Sequence, residues 1–163
     1  VGSEMCIRDS PFGDGLLLGI GYETNAKTSE KTGVKLTMFD ISDPINLRIL
    51  DSVTINEDFC SAAENYKCAF VDTGRGLVGF ATETWTKTNY NRYMLFQWDG
   101  TSFVKKISLK KTQQKMDTWT GAEQMRGLSS GDCFYVLHVE RDDFSLISYD
   151  MKNDFQEIET KKY

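Results

Sequence analysis

A strand pattern that recurs three times along the chain constrains its fold more than any other feature. In each copy, a glycine-containing turn leads into an apolar strand that ends in glutamate, over Gly13–Glu23, Gly74–Glu83 and Gly131–Glu140. A second strand ends in an aromatic residue and aspartate, over Val34–Asp40, Tyr93–Asp99 and Phe144–Asp150. A third strand follows, over Leu47–Ile55, Ser102–Leu109 and Phe155–Thr160. Self-similarity at a period of about 50 residues is typical of repeat architectures.

A further short strand precedes the turn in the second and third copies, at Cys68–Val71 and Met125–Leu128. These copies therefore predict four antiparallel strands each, whereas the first copy shows only three and is expected to be incomplete. A sheet that is apolar on both faces must be covered on both, and sheets stacked around an axis cover one another. The sequence predicts an all-β fold, a partial β-propeller with three blades over residues 11–56, 66–109 and 124–161.

Three blades do not close a ring, because closed propellers typically have about four to eight. We therefore expect residues 11–163 to be a propeller fragment, with the remaining propeller blades in a longer chain. The rival interpretation is a single β-sandwich of about eleven strands, and the fixed strand order of the repeat disfavours it.

The first ten residues, Val1–Ser10, do not follow the pattern of the rest. They show neither strand alternation nor the cap and periodicity of a helix, and they lack the basic start and apolar centre of a secretion signal. The segment resembles a translated sequencing adapter or cloning scar. We therefore expect a non-native leader over residues 1–10, with the natural chain and its signal peptide beginning further upstream.

Composition excludes several functional classes. The 163 residues are 40% hydrophobic and carry a net charge of −5, which is typical of a folded domain and unsuited to nucleic acid. No apolar run approaches the roughly 18 residues of a membrane span. The chain has one histidine, His138, and no Cys-x-x-Cys pair. We predict no metal and no cofactor, and we expect His138 to be a packed strand residue rather than a catalytic one.

The segment Gly33–Pro44, which reads GVKLTMFDISDP, carries a family resemblance together with the strand after it. It resembles a hallmark of the secreted β-propeller proteins that are distantly related to WD repeats. Blocks at residues 66–80 and 126–136 are similar to the same family, in which histidine is common at the position of Tyr66. The resemblance implies an extracellular or cell-surface propeller from a longer precursor, and it carries over no catalytic residue.

Two sets of carboxylates recur with the repeat. Asp40, Asp99 and Asp150 follow the second strands, where aspartate nucleates turns by accepting backbone N–H groups. The alternative is a calcium site, although no Asp-x-Asp-x-Asp-Gly loop is present. Glu23, Glu83 and Glu140 end the first strands, so that stacked blades would place them on one rim. They are expected to be solvated strand ends, or else a carboxylate pair for glycoside hydrolysis.

Aromatic residues in the long connections are the best binding candidates. Trp85, Tyr90 and Trp119 lie among polar residues, a composition typical of contact loops. The alternative is that they pack against the blade. Cys60 and Cys68 are eight residues apart, which allows a disulfide in an oxidising compartment. The alternative is that Cys68 is a buried apolar residue.

Taken together, the pattern favours a non-enzymatic propeller module at the cell exterior. Its loops would bind a protein or a glycan. The alternative is a propeller hydrolase that uses the carboxylates of the rim.

Overall fold

The computed structural model describes residues 6–13, 15–85, 90–112, 125–140 and 143–163. The first sheet contains β1 (Cys6–Pro11), β2 (Leu16–Thr24), β3 (Lys31–Asp40) and β4 (Arg48–Ile55) in that order. In the second sheet, β5 (Phe59–Cys60) and β6 (Phe70–Asp72) both pair with β7 (Leu77–Thr84), which β8 (Tyr90–Trp98) and β9 (Phe103–Thr112) follow. The third sheet contains β10 (Met125–Ser130), β11 (Cys133–Glu140), β12 (Asp143–Asp150) and β13 (Gln156–Lys162).

These sheets confirm the predicted fold class. The pairings are antiparallel, and all but that of β5 with β7 join neighbours in the chain, as propeller blades require. The second and third strands of each repeat pair along their whole length, from Leu16 opposite Asp40 to Thr24 opposite Lys31 in the first sheet.

The first sheet differs from the prediction because it is complete. Its fourth strand is β1, which pairs with β2 from Cys6 opposite Gly21 to Pro11 opposite Leu17. The segment CIRDSP has no apolar alternation, so the pattern gave no strand signal. Backbone hydrogen bonds along the free edge of β2 need no such alternation.

The first strand of the second sheet is interrupted. Between β5 and β6 lie the one-turn helix α1 (Ser61–Glu64) and a 3-10 turn, Tyr66–Cys68. This insertion is fixed to the first sheet by Tyr22, whose hydroxyl donates to Glu64 Oε1 at 3.1 Å and accepts the N–H of Cys60 at 3.3 Å. Among the described residues, no helix is long and apolar enough to cross a membrane.

Two apolar layers hold the three sheets in chain order. All eight residues of β7 are buried, because its alternate side chains enter different layers. Val78 and Phe80 pack against the first sheet, whereas Leu77 and Ala81 pack against the third. The central sheet is therefore covered on both faces, and the arrangement has three layers rather than the two of a sandwich.

Tyr93 shows how closely the second and third sheets approach. Its ring is fully buried, and its hydroxyl has no hydrogen-bond partner among the described residues. A Cβ added at Gly79 or Gly127 would overlap that hydroxyl, and at Gly127 it would also meet Phe134. Glycine on β7 and on β10 therefore provides the space that the tyrosine fills.

We expect Tyr93→Phe to raise the free energy of unfolding by about 1 kcal/mol, because it removes a buried hydroxyl without a partner. Gly127→Ala should lower it by roughly 1–3 kcal/mol through overpacking of the same space. Urea unfolding of the two variants beside wild type measures both effects. A clear loss of stability in Tyr93→Phe would show that the hydroxyl makes a bond that this packing lacks.

Candidate binding site at one rim of the second sheet

The topology separates two rims. At one edge of every sheet, the second strand ends, the third strand begins and the fourth strand ends. We call this edge the upper rim. In the second sheet this edge is formed by Thr84, Tyr90 and Thr112. The opposite edge, the lower rim, holds the tight turns that follow the third strands.

The lower rim is built by turns of the kind expected for the repeated aspartates. Asp40 accepts the N–H of Ser42, Asp99 that of Thr101 and Asp150 that of Lys152, at 2.8–3.0 Å. These bonds confirm turn nucleation. The hydroxyl and N–H of Ser42 lower the pKa of Asp40 to about 2, and hydrogen bonds led by the N–H of Ser102 do the same for Asp99.

Trp85 lies on the upper rim, directly after β7, and its side chain is 53% exposed. Its N–H donates to Asp58 Oδ2 at 2.9 Å, and Thr84 Oγ1 donates to the same oxygen at 2.9 Å. The ring of Phe59 lies 6.4 Å from that of Trp85. The backbone that carries this exposed indole is therefore fixed by the connection between the first two sheets.

Tyr90 lies opposite Thr84, the residue before Trp85, and its ring and hydroxyl are contacted by cations. The guanidinium of Arg92 lies 5.0 Å from its ring centroid and Lys110 Nζ lies 3.9 Å from it. Its hydroxyl donates to Glu57 Oε1 at 3.2 Å and accepts from Arg92 Nη2 at 3.2 Å. Cation–π contacts of this kind hold an aromatic ring in place. We call Trp85, Tyr90, Arg92 and Lys110 the aromatic patch.

A buried carboxylate underlies the aromatic patch. Glu57 is 4% exposed and forms an ion pair with Arg92 Nη1 at 2.9 Å. Its second oxygen, Oε2, is buried with no hydrogen-bond partner in the described part of the chain. Burial raises the pKa of Glu57 despite the opposing charge of Arg92, and burial also raises the pKa of Tyr90. The ion pair therefore fixes Arg92 and Tyr90 from beneath.

A comparison with known protein families decides the assignment. The family model described as "Beta propeller domain" matches residues 10–147. The chain belongs to the β-propeller domain family. No curated protein matches the chain.

The glutamates of the propeller's upper rim are not equivalent to one another. Glu23 forms an ion pair with Lys35 at 2.9 Å. In each repeat, one residue in or just before the second strand lies opposite the aromatic residue that precedes aspartate, and these residues are Leu17, Gly76 and Phe134. Glu23 and Glu140 come six positions after that residue, whereas Glu83 comes seven positions after it. Because strand faces alternate, the odd step turns Glu83 to the opposite face, toward the third sheet. The side chain of Glu140 lies outside the described residues.

Other predicted residues of the propeller have the following positions. Cys60 and Cys68 are both buried, and burial raises the pKa of Cys60 to about 12. The disulfide between them stays a prediction. His138 is buried within β11, opposite Met125 and Ser145. Trp119 lies outside the described residues.

Sequence reasoning missed Glu57, Asp58 and Arg92. The first two lie in a connection between sheets, and the third lies inside a strand with ordinary alternation. The only signal in the sequence was the pair of adjacent acids, Glu57 and Asp58, in a connection between two apolar strands. Their contacts depend on the pairing of β5 with β7 in the second sheet, which no local pattern reports.

Proposed function

We propose that this propeller domain is a non-enzymatic binding module at the cell exterior, and that its aromatic patch contacts a protein partner. The observation that carries the proposal is the exposed Trp85 at the rim of the second sheet, where Tyr90, held by Arg92, lies opposite the preceding residue Thr84. Tryptophan, tyrosine and arginine are the residue types that most often dominate the energy of protein interfaces. The location at the cell exterior rests on the family resemblance of the Gly33–Pro44 segment.

Preorganisation supports this assignment. The backbone of Trp85 is fixed by Asp58, and Tyr90 is held by Glu57, Arg92 and Lys110. Groups that are already ordered lose little conformational freedom on binding, so more of their contact energy contributes to affinity.

A protein partner suits the patch better than a glycan does. Stacking on a sugar requires an open aromatic face, but Arg92 and Lys110 approach the ring of Tyr90. Two cations beside exposed aromatic surface suit a protein patch that is acidic and apolar.

We expect Trp85→Ala to weaken binding of the partner by about thirtyfold, the effect of truncating an interface residue worth roughly 2 kcal/mol. Immobilised wild type, Trp85→Ala and a control, Tyr66→Ala, are each exposed to surface proteins of the source cells, and bound proteins are quantified. Tyr66 is 60% exposed on the insertion and matches Trp85 as an exposed aromatic residue.

The expected result is a protein that wild type and Tyr66→Ala retain and Trp85→Ala loses, with the difference reproduced by calorimetry on the purified partner. Equal retention by all three proteins would contradict the proposal. So would binding that disappears when glycans are removed from the extract, because the partner would then be a glycan.

We further propose that additional propeller blades cover the open face of the third sheet. This face repeats the one that the second sheet buries: Leu137 lies opposite Leu146, and Val139 lies opposite Phe144. Phe144 is 43% exposed and Leu128 is 44% exposed. An apolar sheet face of this kind marks a contact surface.

The isolated domain should therefore bind the dye ANS and associate with itself as its concentration rises. Replacing both Phe144 and Leu128 by Ser should lower the ANS signal by roughly half, because less apolar surface meets the dye. The control is Ile45→Ser, which changes a residue that is 89% exposed in a lower-rim loop. A monomer that binds no ANS, or an equal signal from both variants, would contradict the proposal.

A further inference from the structure

A cleft of about 500 Å³ lies between the second and third sheets at the lower rim, opposite to the aromatic patch. Its walls come from the turn before β7, from β9 and from the turns that flank β11 and β12. Clefts of about 300–1,000 Å³ are the usual size for small-molecule sites.

The cleft has an apolar floor and a mouth of paired charges. Leu77, Met151 and Phe155 line it, and Leu77 and Phe155 are buried. The side chains of Arg75, Lys106 and Lys152 also line it, together with the carboxylates of Asp132 and Asp154, which pair with Lys152 and Lys106. The combination offers cations for an anionic group and apolar surface for a carbon skeleton.

Arg75 is held in place for this role. Its Nη1 donates to Asp72 at 2.8 Å, and its Nη2 donates to the carbonyl oxygen of Gly131 in the third sheet at 3.1 Å. A guanidinium has five N–H donors, so these two bonds leave others for a ligand.

The partner of Lys106 is suited to displacement. Lys106 Nζ lies 2.6 Å from Asp154 Oδ1, but the side chain of Lys106 is 19% exposed and that of Asp154 is 81% exposed. An ion pair with so exposed a carboxylate contributes little stability. A carboxylate that enters the cleft can therefore replace Asp154 at low cost.

The wall of the cleft contains two residues in an uncommon backbone conformation. Asp154 and Phe155 have φ angles of +46° and +60°, in the left-handed region that side chains rarely adopt. Such a residue is strained and persists only where its surroundings impose it. In this conformation the side chain of Phe155 forms part of the cleft floor, and Asp154 pairs with Lys106.

From this geometry we propose that the cleft binds a small organic di- or tricarboxylate, whose carboxylates pair with Lys106 and Arg75 and whose carbon skeleton packs on Met151 and Phe155. Lys152 adds a third cation, already within 2.5 Å of Asp132. Inorganic phosphate is too small to reach both the cations and the apolar floor, so no saturable binding of phosphate is expected.

The test is a titration with citrate, succinate and inorganic phosphate at low ionic strength, followed by the NMR signal of the Met151 methyl group. We expect a saturable shift with citrate or succinate and none with phosphate. Lys106→Gln should weaken that binding by about tenfold or more, because it removes a paired cation. The control is Lys105→Gln, the same change at the neighbouring, exposed residue of β9, which should alter binding by less than about twofold.

Circular dichroism and thermal unfolding of both variants show whether each is folded, and Arg75→Gln provides a second loss of function if Lys106→Gln is unstable. Absence of a saturable shift with both citrate and succinate would overturn the proposal. Equal weakening by Lys105→Gln and Lys106→Gln would also overturn it, because the binding would then depend on surface charge alone. Neither result would bear on the aromatic patch at the other rim.

Discussion

The structure depends on one constraint, which is that a sheet with apolar side chains on both faces must be covered on both. The central sheet meets it completely, since every residue of β7 is buried. Val78 and Phe80 need the first sheet, and Leu77 and Ala81 need the third. Stacking in chain order satisfies both faces with short connections. The same constraint applies to the open face of the third sheet, where Phe144 is half-exposed.

The stacking also decides where chemistry can occur. Apolar side chains fill most of the strand interiors, and the polar groups described above lie mainly at the two rims. At the lower rim the turn aspartates use their carboxylates to hold the backbone, as Asp99 does with Thr101. At the upper rim the connection between sheets brings Glu57 beneath Arg92 and fixes Tyr90. The domain therefore offers a rigid scaffold with a preorganised patch at one rim and a cleft at the other.

The sequence predicted what local patterns encode. Strand alternation and turn residues repeat within each unit, so the three sheets and the aspartate turns could be read directly. The edge strand β1 could not, because its segment has no apolar alternation and backbone pairing needs none. Glu83 was grouped with Glu23, but it lies seven rather than six positions after the residue opposite the aromatic side chain, which reverses its face. Glu57 and Arg92 meet because β5, which follows Glu57, pairs with β7 beside β8, and a pairing between segments so far apart in the chain leaves no local pattern.

The most direct test of the stacking is a nuclear Overhauser measurement on isotope-labelled protein, centred on the ring of Tyr93. The ring centroid of Tyr93 lies 6.1 Å from that of Phe134, and its hydroxyl end lies against Gly127. We expect cross-peaks from the Tyr93 ring protons to Gly127 and Phe134 of the third sheet and none to the first sheet. Cross-peaks to the first sheet, or none to Gly127, would contradict the stacking of the sheets in chain order.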